Sequence, residues 1–394
     1  MKLARRLNQI EPFYVMEFAK SAALLAASPA CDPALGGRRM IHLNIGEPDF
    51  TAVGEVQAAA QAAIAEGRTQ YTDALGLPAL RQALSAWYAS RFGLQVPARR
   101  IVVTAGASAA LQLACLALFE SGDQVLMPDP TYPCNRHFVA AAGAQAMAVP
   151  TQAQDRFQLS AQQVRDHWQA ATAGVLLASP SNPTGTSVAS ATLRDIVECV
   201  RARGGVTLVD EIYLGLSYDD EYGQSALQFG EDVISINSFS KYFCMTGWRL
   251  GWMVVPESLV PAVEKLQQNL FICASTIAQH AALACFQDSA IAQFEARRQA
   301  FRQRRDLVLP ALASMGLPVP VPPDGAFYAW ADCSGHGQDS WTFCERMLHE
   351  AQVALTPGRD FSRAYSDRFF RLSFASSLDN LQQALSRMAQ LLAP

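Results

Sequence analysis

The sequence predicts an α/β protein: a mostly parallel seven-stranded sheet with helices on both faces, joined to a smaller α+β unit. Three observations lead there. From about residue 100 to 255, short apolar runs alternate with amphipathic stretches. Those runs are continuous rather than polar on alternate residues, so both faces must be covered, as in parallel strands between layers of helices. From about residue 290 the character changes, to an arginine-bearing helical stretch, the proline-rich "LPVPVPPDG" and a few further strands.

Taken in order, the candidate strands are Ile101–Thr104, Gln124–Met127, Gln145–Val149, Gly174–Ala178, Val206–Val209, Val233–Ile236 and Leu250–Val255. Between the first two, the stretch 107–119 places Leu111, Cys115 and Leu118 on one helical face. Residues 46–290 are expected to form the large unit, and 1–45 with 291–394 the small one. In the latter, a helix carrying Arg297, Arg298, Arg302, Arg304 and Arg305 reads as a solvated surface, and a last helix begins near Leu378.

Composition narrows the function classes. Of 394 residues, half are hydrophobic and 17% are charged, the balance of a well-packed globular chain. The net charge of −4 comes with no long Lys/Arg run, which argues against a nucleic-acid or lipid footprint. Nine scattered cysteines without a C-x-x-C pair read as reduced thiols in a reducing compartment. Six histidines without ligand spacing make a dedicated metal site unexpected. No apolar run reaches 18 residues, and Glu11 and Glu17 interrupt whatever follows Arg5-Arg6, so a cytoplasmic protein is expected.

In sheets of this kind the ligand site forms beyond the carboxyl ends of the strands. The polar residues at those ends are therefore the informative ones. They are "TAGAS" (104–108), "PDPTYP" (128–133), "SPSNPTG" (179–185), "DEIY" (210–213) and "NSFSK" (237–241). Small residues opening a helix let backbone N–H groups approach an anion, and Ser108 adds a hydroxyl. Asp210 closes a buried strand, which is costly unless a cation or hydrogen-bond donor meets it. A helix N-cap would serve, and so would a protonated heterocyclic nitrogen. Lys241 sits between serines and bulky aromatics, with no other charge until Arg249. A lysine in a low-dielectric pocket can join to an aldehyde as a Schiff base, and Arg249 can fork onto a phosphate. Those demands together are those of pyridoxal phosphate.

The chain resembles the class I/II pyridoxal-phosphate aminotransferases of the aspartate aminotransferase superfamily, fold type I. The resemblance is carried in one order by "LNIGEPDF", "YTDALGLPALR", "TAGASAAL", "PTYP", "SNPTG", "DEIY", "SFSKYFCMTGWRLGW" and "RLSFA". It implies that Lys241 is the Schiff-base lysine and the proton carrier. Asp210 would face the ring nitrogen, Asn182 and Tyr213 the ring oxygen, and Tyr132 would stack on the ring. Gly106, Ala107, Ser108, Ser238, Ser240 and Arg249 would surround the phosphate. Tyr71 would reach that phosphate from a neighbouring subunit, making a homodimer with shared sites. Arg371 would clamp the substrate carboxylate, with the Gly46 backbone and Asn182 beside it. A strand through "DRFFRLSF" places Arg368 and Arg371 on opposite faces, so only one can enter the pocket.

The substrates implied are an L-amino acid and a 2-oxo acid. From Gln267 to Glu295 no Arg or Lys is present to hold a second carboxylate. Phe13, Tyr14, Met16 and Phe18 offer an apolar wall, which points to a neutral donor, aromatic or aliphatic. Two alternatives stay open: a C–S β-lyase or aminocyclopropane-carboxylate-synthase-like enzyme on the same scaffold, and a regulator's cofactor-binding domain. The second would need a winged-helix domain before the first motif at residue 43.

Overall fold

The computed structural model describes residues 2–4, 7, 10, 12 and 14–393. Phe13 lies outside these, as do Arg5, Arg6 and Glu11. Twelve strands form among the described residues. They are β1 (Ile41–His42), β2 (Ile101–Thr104), β3 (Gln124–Asp129), β4 (Gln145–Pro150), β5 (Thr172–Ala178) and β6 (Val206–Asp210). After these come β7 (Ile234–Ser238), β8 (Gly251–Val254), β9 (Tyr328–Asp332), β10 (Val353–Ala354), β11 (Thr356–Pro357) and β12 (Phe369–Ser373).

Seven of them make one sheet in the order β2-β8-β7-β6-β5-β3-β4. The pairs β4/β3, β3/β5, β5/β6 and β6/β7 are parallel, while β8 runs antiparallel to both β7 and β2. Flanked on both sides by antiparallel neighbours, β8 leaves β2 pointing the same way as β7. All six remaining strands therefore end at one rim. The apolar runs explain why this sheet forms: β2 ("IVVT") is buried at every position, and its β-branched residues suit a packed pleated surface. One face is covered by the helix Gly106–Leu118, the other by Ala161–His167 and Ser190–Arg201.

The strand boundaries agree with the sequence to within two residues; β3, β4, β6 and β7 run longer at the rim, while β5 gains Thr172 and Ala173 at its other end. β6 and β7 each run two residues or fewer past the predicted ends, so Asp210 and Ser238 close strands rather than open loops. Leu250 and Val255 lie outside β8. The later elements pack as a second assembly: β11, β12 and β9 make an antiparallel sheet, and β1 pairs with β10 from the other end of the chain. The long helix Asp288–Ser314 corrects one expectation. Arg302 is exposed, but Arg304 is buried and ion-paired to Asp49, and Arg297, Arg298 and Arg305 all donate to backbone carbonyls. Their stems and heads pack on Phe50 and Tyr218, so this face is an internal contact and not a solvated one.

Candidate active site

At the rim, β2 turns into the helix Gly106–Leu118 through Gly106, whose φ of +80° is left-handed and free of strain only for glycine. No side chain caps this helix, so its first N–H groups are left for another acceptor. The Arg249 guanidinium lies directly over the turn: a Cβ on Gly106 would sit 2.7 Å from its Nη2. A Cβ on Gly251 would likewise sit 2.7 Å from the Ala107 nitrogen. Two glycines thus bring an arginine and a helix N-terminus together without intervening side chains. Ser108 is exposed toward the cavity, and Ser238 and Ser240 line it from the end of β7. This corner fits a phosphate dianion.

Next along the rim, Asp210 closes β6. Its carboxylate accepts the Ile212 N–H at 3.2 Å, a local turn contact and not a helix cap, since the next helical turn begins at Leu214 behind Tyr213, and burial pushes its pKa up to about 7. A carboxylate held this way gains most from a cationic nitrogen placed against it, which fits a protonated pyridine ring. Lys241 follows β7. Its Nζ donates to the Gly46 carbonyl at 2.7 Å, and burial lowers its pKa to about 8, opposed by the Glu47 carboxylate. Tyr213 and Phe327 present their rings 5.7 and 5.9 Å from that nitrogen.

The far side of the cavity comes from the second assembly. Arg371, on β12, is 2% exposed and sandwiched between the rings of Tyr328 and Phe361, 4.5 and 4.7 Å from the guanidinium carbon. Its Nη1 donates to Asn182 Oδ1 at 2.9 Å and its Nη2 to the Asn44 carbonyl at 2.6 Å, while its Nε has no partner. None of those partners is charged. A buried guanidinium held only by neutral acceptors is a receptor for an anion. Arg368 points away, pairing with Asp332.

One cavity of about 570 Å³ collects Gly46, Ala107, Ser108, Tyr132, Asn182, Asp210, Tyr213, Ser238, Ser240, Lys241, Arg249 and Arg371. Gly106 lies beneath Arg249 at its edge. Tyr71 is apart: it is 82% exposed and does not line this cavity. Of the described residues of the expected apolar wall, Met16 lines the cavity, joined by Val15 and Ala19 from the same helical face; Tyr14 and Phe18 instead pack edge-on against Trp341. Sequence reasoning missed Tyr328. Its hydroxyl bonds that of Tyr213 at 2.7 Å and abuts Gly46, where any Cβ would collide with it. Nothing in "AFYAW" marks it, because its partners are distant in the chain.

A parallel sheet whose strand ends present a lysine, a carboxylate and an anion corner, facing a buried arginine, defines a class of amino-group-handling enzyme. Residues 38–388 match the family model for aminotransferase class I and II. The chain belongs to this family and is a transferase; enzymes of the family use pyridoxal phosphate and small-molecule substrates. It is 37% identical over 380 residues to the valine–pyruvate aminotransferase of Mycobacterium tuberculosis, covering 96% of both chains. A crystal structure of an aminotransferase from the same organism superposes with a TM-score of 0.94 at 37% identity, covering 100% of this chain and 99% of that one. The aspartate aminotransferase of Thermus thermophilus, solved with maleate, gives 0.91 at 32% identity over 99% and 100% of the two chains. Among the described residues no helix is long and apolar enough to cross a membrane.

Proposed function

We propose that the chain transfers the amino group of a neutral L-amino acid to a 2-oxo acid, with pyridoxal phosphate held by the rim residues and Lys241 as the reacting amine. The observation that carries this reading is the shared cavity of Lys241, Asp210, Arg249 and Arg371. When bound, the cofactor supplies an aldehyde for an amino group to join and a ring that withdraws an electron pair from the substrate Cα. The protein's residues do the rest. Arg249, Ser108, Ser238, Ser240 and the backbone at Gly106 and Ala107 anchor a phosphate. Asp210 stabilises a ring cation, Asn182 and Tyr213 lie toward the ring oxygen, and Tyr132 supplies a stacking face. Arg371, with Asn182 and the Gly46 backbone beside it, orients an α-carboxylate. Lys241, with its proton affinity lowered, takes a proton from the donor's Cα and, in the other half of the cycle, delivers one to the Cα of the new amino acid.

A single carboxylate clamp serves two substrates, so donor and acceptor use it in turn. That supports a ping-pong cycle. The donor's side chain faces Val15, Met16, Ala19 and Ile45, and the remaining charged residue among the described cavity lining is Glu47, which repels a second carboxylate. The name of the Mycobacterium relative, valine–pyruvate aminotransferase, favours an aliphatic donor and gives no support to the lyase alternative. Tyr71, exposed in one chain, serves the site of a partner subunit in a cytoplasmic homodimer. Within each subunit, residues 46–290 act as the cofactor-binding domain and 1–45 with 291–394 as the smaller one.

Borohydride reduction followed by peptide mapping tests the reading: the phosphopyridoxyl group should be found on Lys241, and its recovery on another lysine would overturn the assignment. A panel of amino donors against pyruvate and 2-oxoglutarate, followed spectroscopically as separate half-reactions, should show valine-like donors ahead of aspartate.

A further inference from the structure

Residues 44–52 join β1 to the helix Gly54–Ala65, and among the described residues no backbone-to-backbone hydrogen bond holds them. Side chains hold this segment instead. At its site end it touches two cations of the cavity, Arg371 and Lys241, and reaches the third, Arg249, through Thr246. The Asn44 carbonyl accepts from Arg371 Nη2 at 2.6 Å and the Gly46 carbonyl from Lys241 Nζ at 2.7 Å. The Glu47 carboxylate accepts from the Thr246 hydroxyl, and the Thr246 carbonyl accepts from Arg249 Nη1 at 3.1 Å.

At its other end the segment is fastened to the helix Asp288–Ser314. Asp49 takes both terminal nitrogens of Arg304, at 2.6 and 2.9 Å. The Phe50 ring lies 4.9 Å from the Arg304 guanidinium and 5.1 Å from that of Arg297, and meets Phe301 edge-on at 5.5 Å. Arg297 Nη1 closes the clamp on the Thr51 carbonyl at 2.6 Å. A two-pronged pair with its guanidinium buried fixes direction as well as distance, which a lysine in place of Arg304 would not.

We propose that Asp49 and Arg304 form a positioning pair, anchoring residues 44–52 so that the Gly46 carbonyl stays against the Lys241 amine. The inference rests on Lys241 being the reacting amine. A fixed acceptor selects one orientation of a flexible side chain, and reacting groups out of place lose rate steeply. The groups facing Lys241 are Asp210 from β6, Arg371 from β12, Arg249 ahead of β8, the Tyr213 ring and, from this segment, Glu47. The Gly46 carbonyl and the Glu47 carboxylate both favour the ammonium form. Releasing the segment removes both and also relieves the burial that lowers this amine, so the Lys241 titration moves away from about pH 8.

The test uses the full-length variants Arg304→Lys and Asp49→Asn, with exposed Arg302→Ala as control. Two quantities are read: the rate of chymotryptic cleavage after Phe50 in the enzyme as isolated, and the pH profile of pyridoxal-phosphate capture by enzyme stripped of it. Both variants should be cut there about tenfold faster, because Phe50 loses its seat against Arg304 and Phe301, and should shift the capture midpoint by about 0.5 pH unit. Arg302→Ala should match the parent. Unchanged cleavage, or a lowered melting temperature with the capture midpoint unmoved, would overturn the proposal. Should one variant not fold, the other decides. A borohydride adduct away from Lys241 would instead sink the functional reading and leave the cleavage result standing.

Discussion

The two ends of the cavity are built by different means. The rim end uses consecutive residues after strands: a glycine turn, a helix N-terminus, a carboxylate closing β6 and a lysine after β7. Strand ends in a parallel sheet are placed by the sheet itself, so these groups converge without needing one another. The opposite end is assembled from β12, β9, the segment after β1 and the helix Tyr14–Ala26, joined by contacts such as Arg371 to the Asn44 carbonyl across 327 positions. There each group is placed by its neighbour. The chemistry at the rim should therefore fail residue by residue, whereas the substrate end should fail in concert.

The largest effect tests the rim. Lys241→Ala removes the proton carrier, for which general acid–base catalysis alone accounts for roughly 10²–10⁴-fold. Single-turnover kinetics should show at least that loss, while exposed Lys265→Ala should match the parent. In the parent, the same lysine should give a pH signature. With its pKa lowered to about 8, the uncharged amine is the minority below that pH and dominates above it. Capture of pyridoxal phosphate should then rise as pH increases and level off above about pH 8, far below the ordinary lysine range. A rise continuing to pH 10 would mean that burial does not act on this amine.

Arg371→Lys tests the other end. It keeps the charge but loses the fork held between Asn182 and Asn44, and it leaves Tyr328 without its stacked partner. Donor kcat/KM should fall on the order of 10²-fold, corresponding to about 3 kcal/mol for a buried charge-assisted contact. Cofactor affinity should hold. Arg249→Lys should do the reverse, weakening the cofactor about tenfold, or about 1.4 kcal/mol, with donor KM unchanged at saturating cofactor. Equilibrium dialysis and steady-state kinetics on both variants separate the two outcomes, and equal effects on both quantities would erase the distinction between the ends.

The same division explains what could be read in the sequence. Every strand of the main sheet was visible because its apolar run is continuous, and the rim residues followed from asking what comes after each strand. Their convergence in one cavity needed no long-range information. Tyr328 was not legible, because its partners Tyr213 and Gly46 lie far off in sequence and it sits in an ordinary buried strand. Arg304 was misread for a related reason: five arginines on one helix look solvated until Asp49 and Phe50 are folded onto them. Met16 fared better than Tyr14 and Phe18 only because helical periodicity turns positions 15, 16 and 19 to the cavity, and the aromatics to Trp341.

Met16 gives the smallest expected effect and the finest test of the assembled end. Its side chain is still 54% exposed, so truncation removes only part of an apolar wall shared with Val15, Ala19 and Ile45. A methylene in an enclosed apolar pocket discriminates by about 10-fold or more, and a half-open wall by less. Met16→Ala should therefore lower kcat/KM for valine by roughly threefold, with alanine hardly affected because its methyl group does not reach the wall. The valine-to-alanine ratio, measured with a common acceptor, cancels changes in cofactor loading and in Lys241 reactivity. A ratio that stays at the parent value would place the donor's side chain elsewhere in the cavity, away from the helix Tyr14–Ala26.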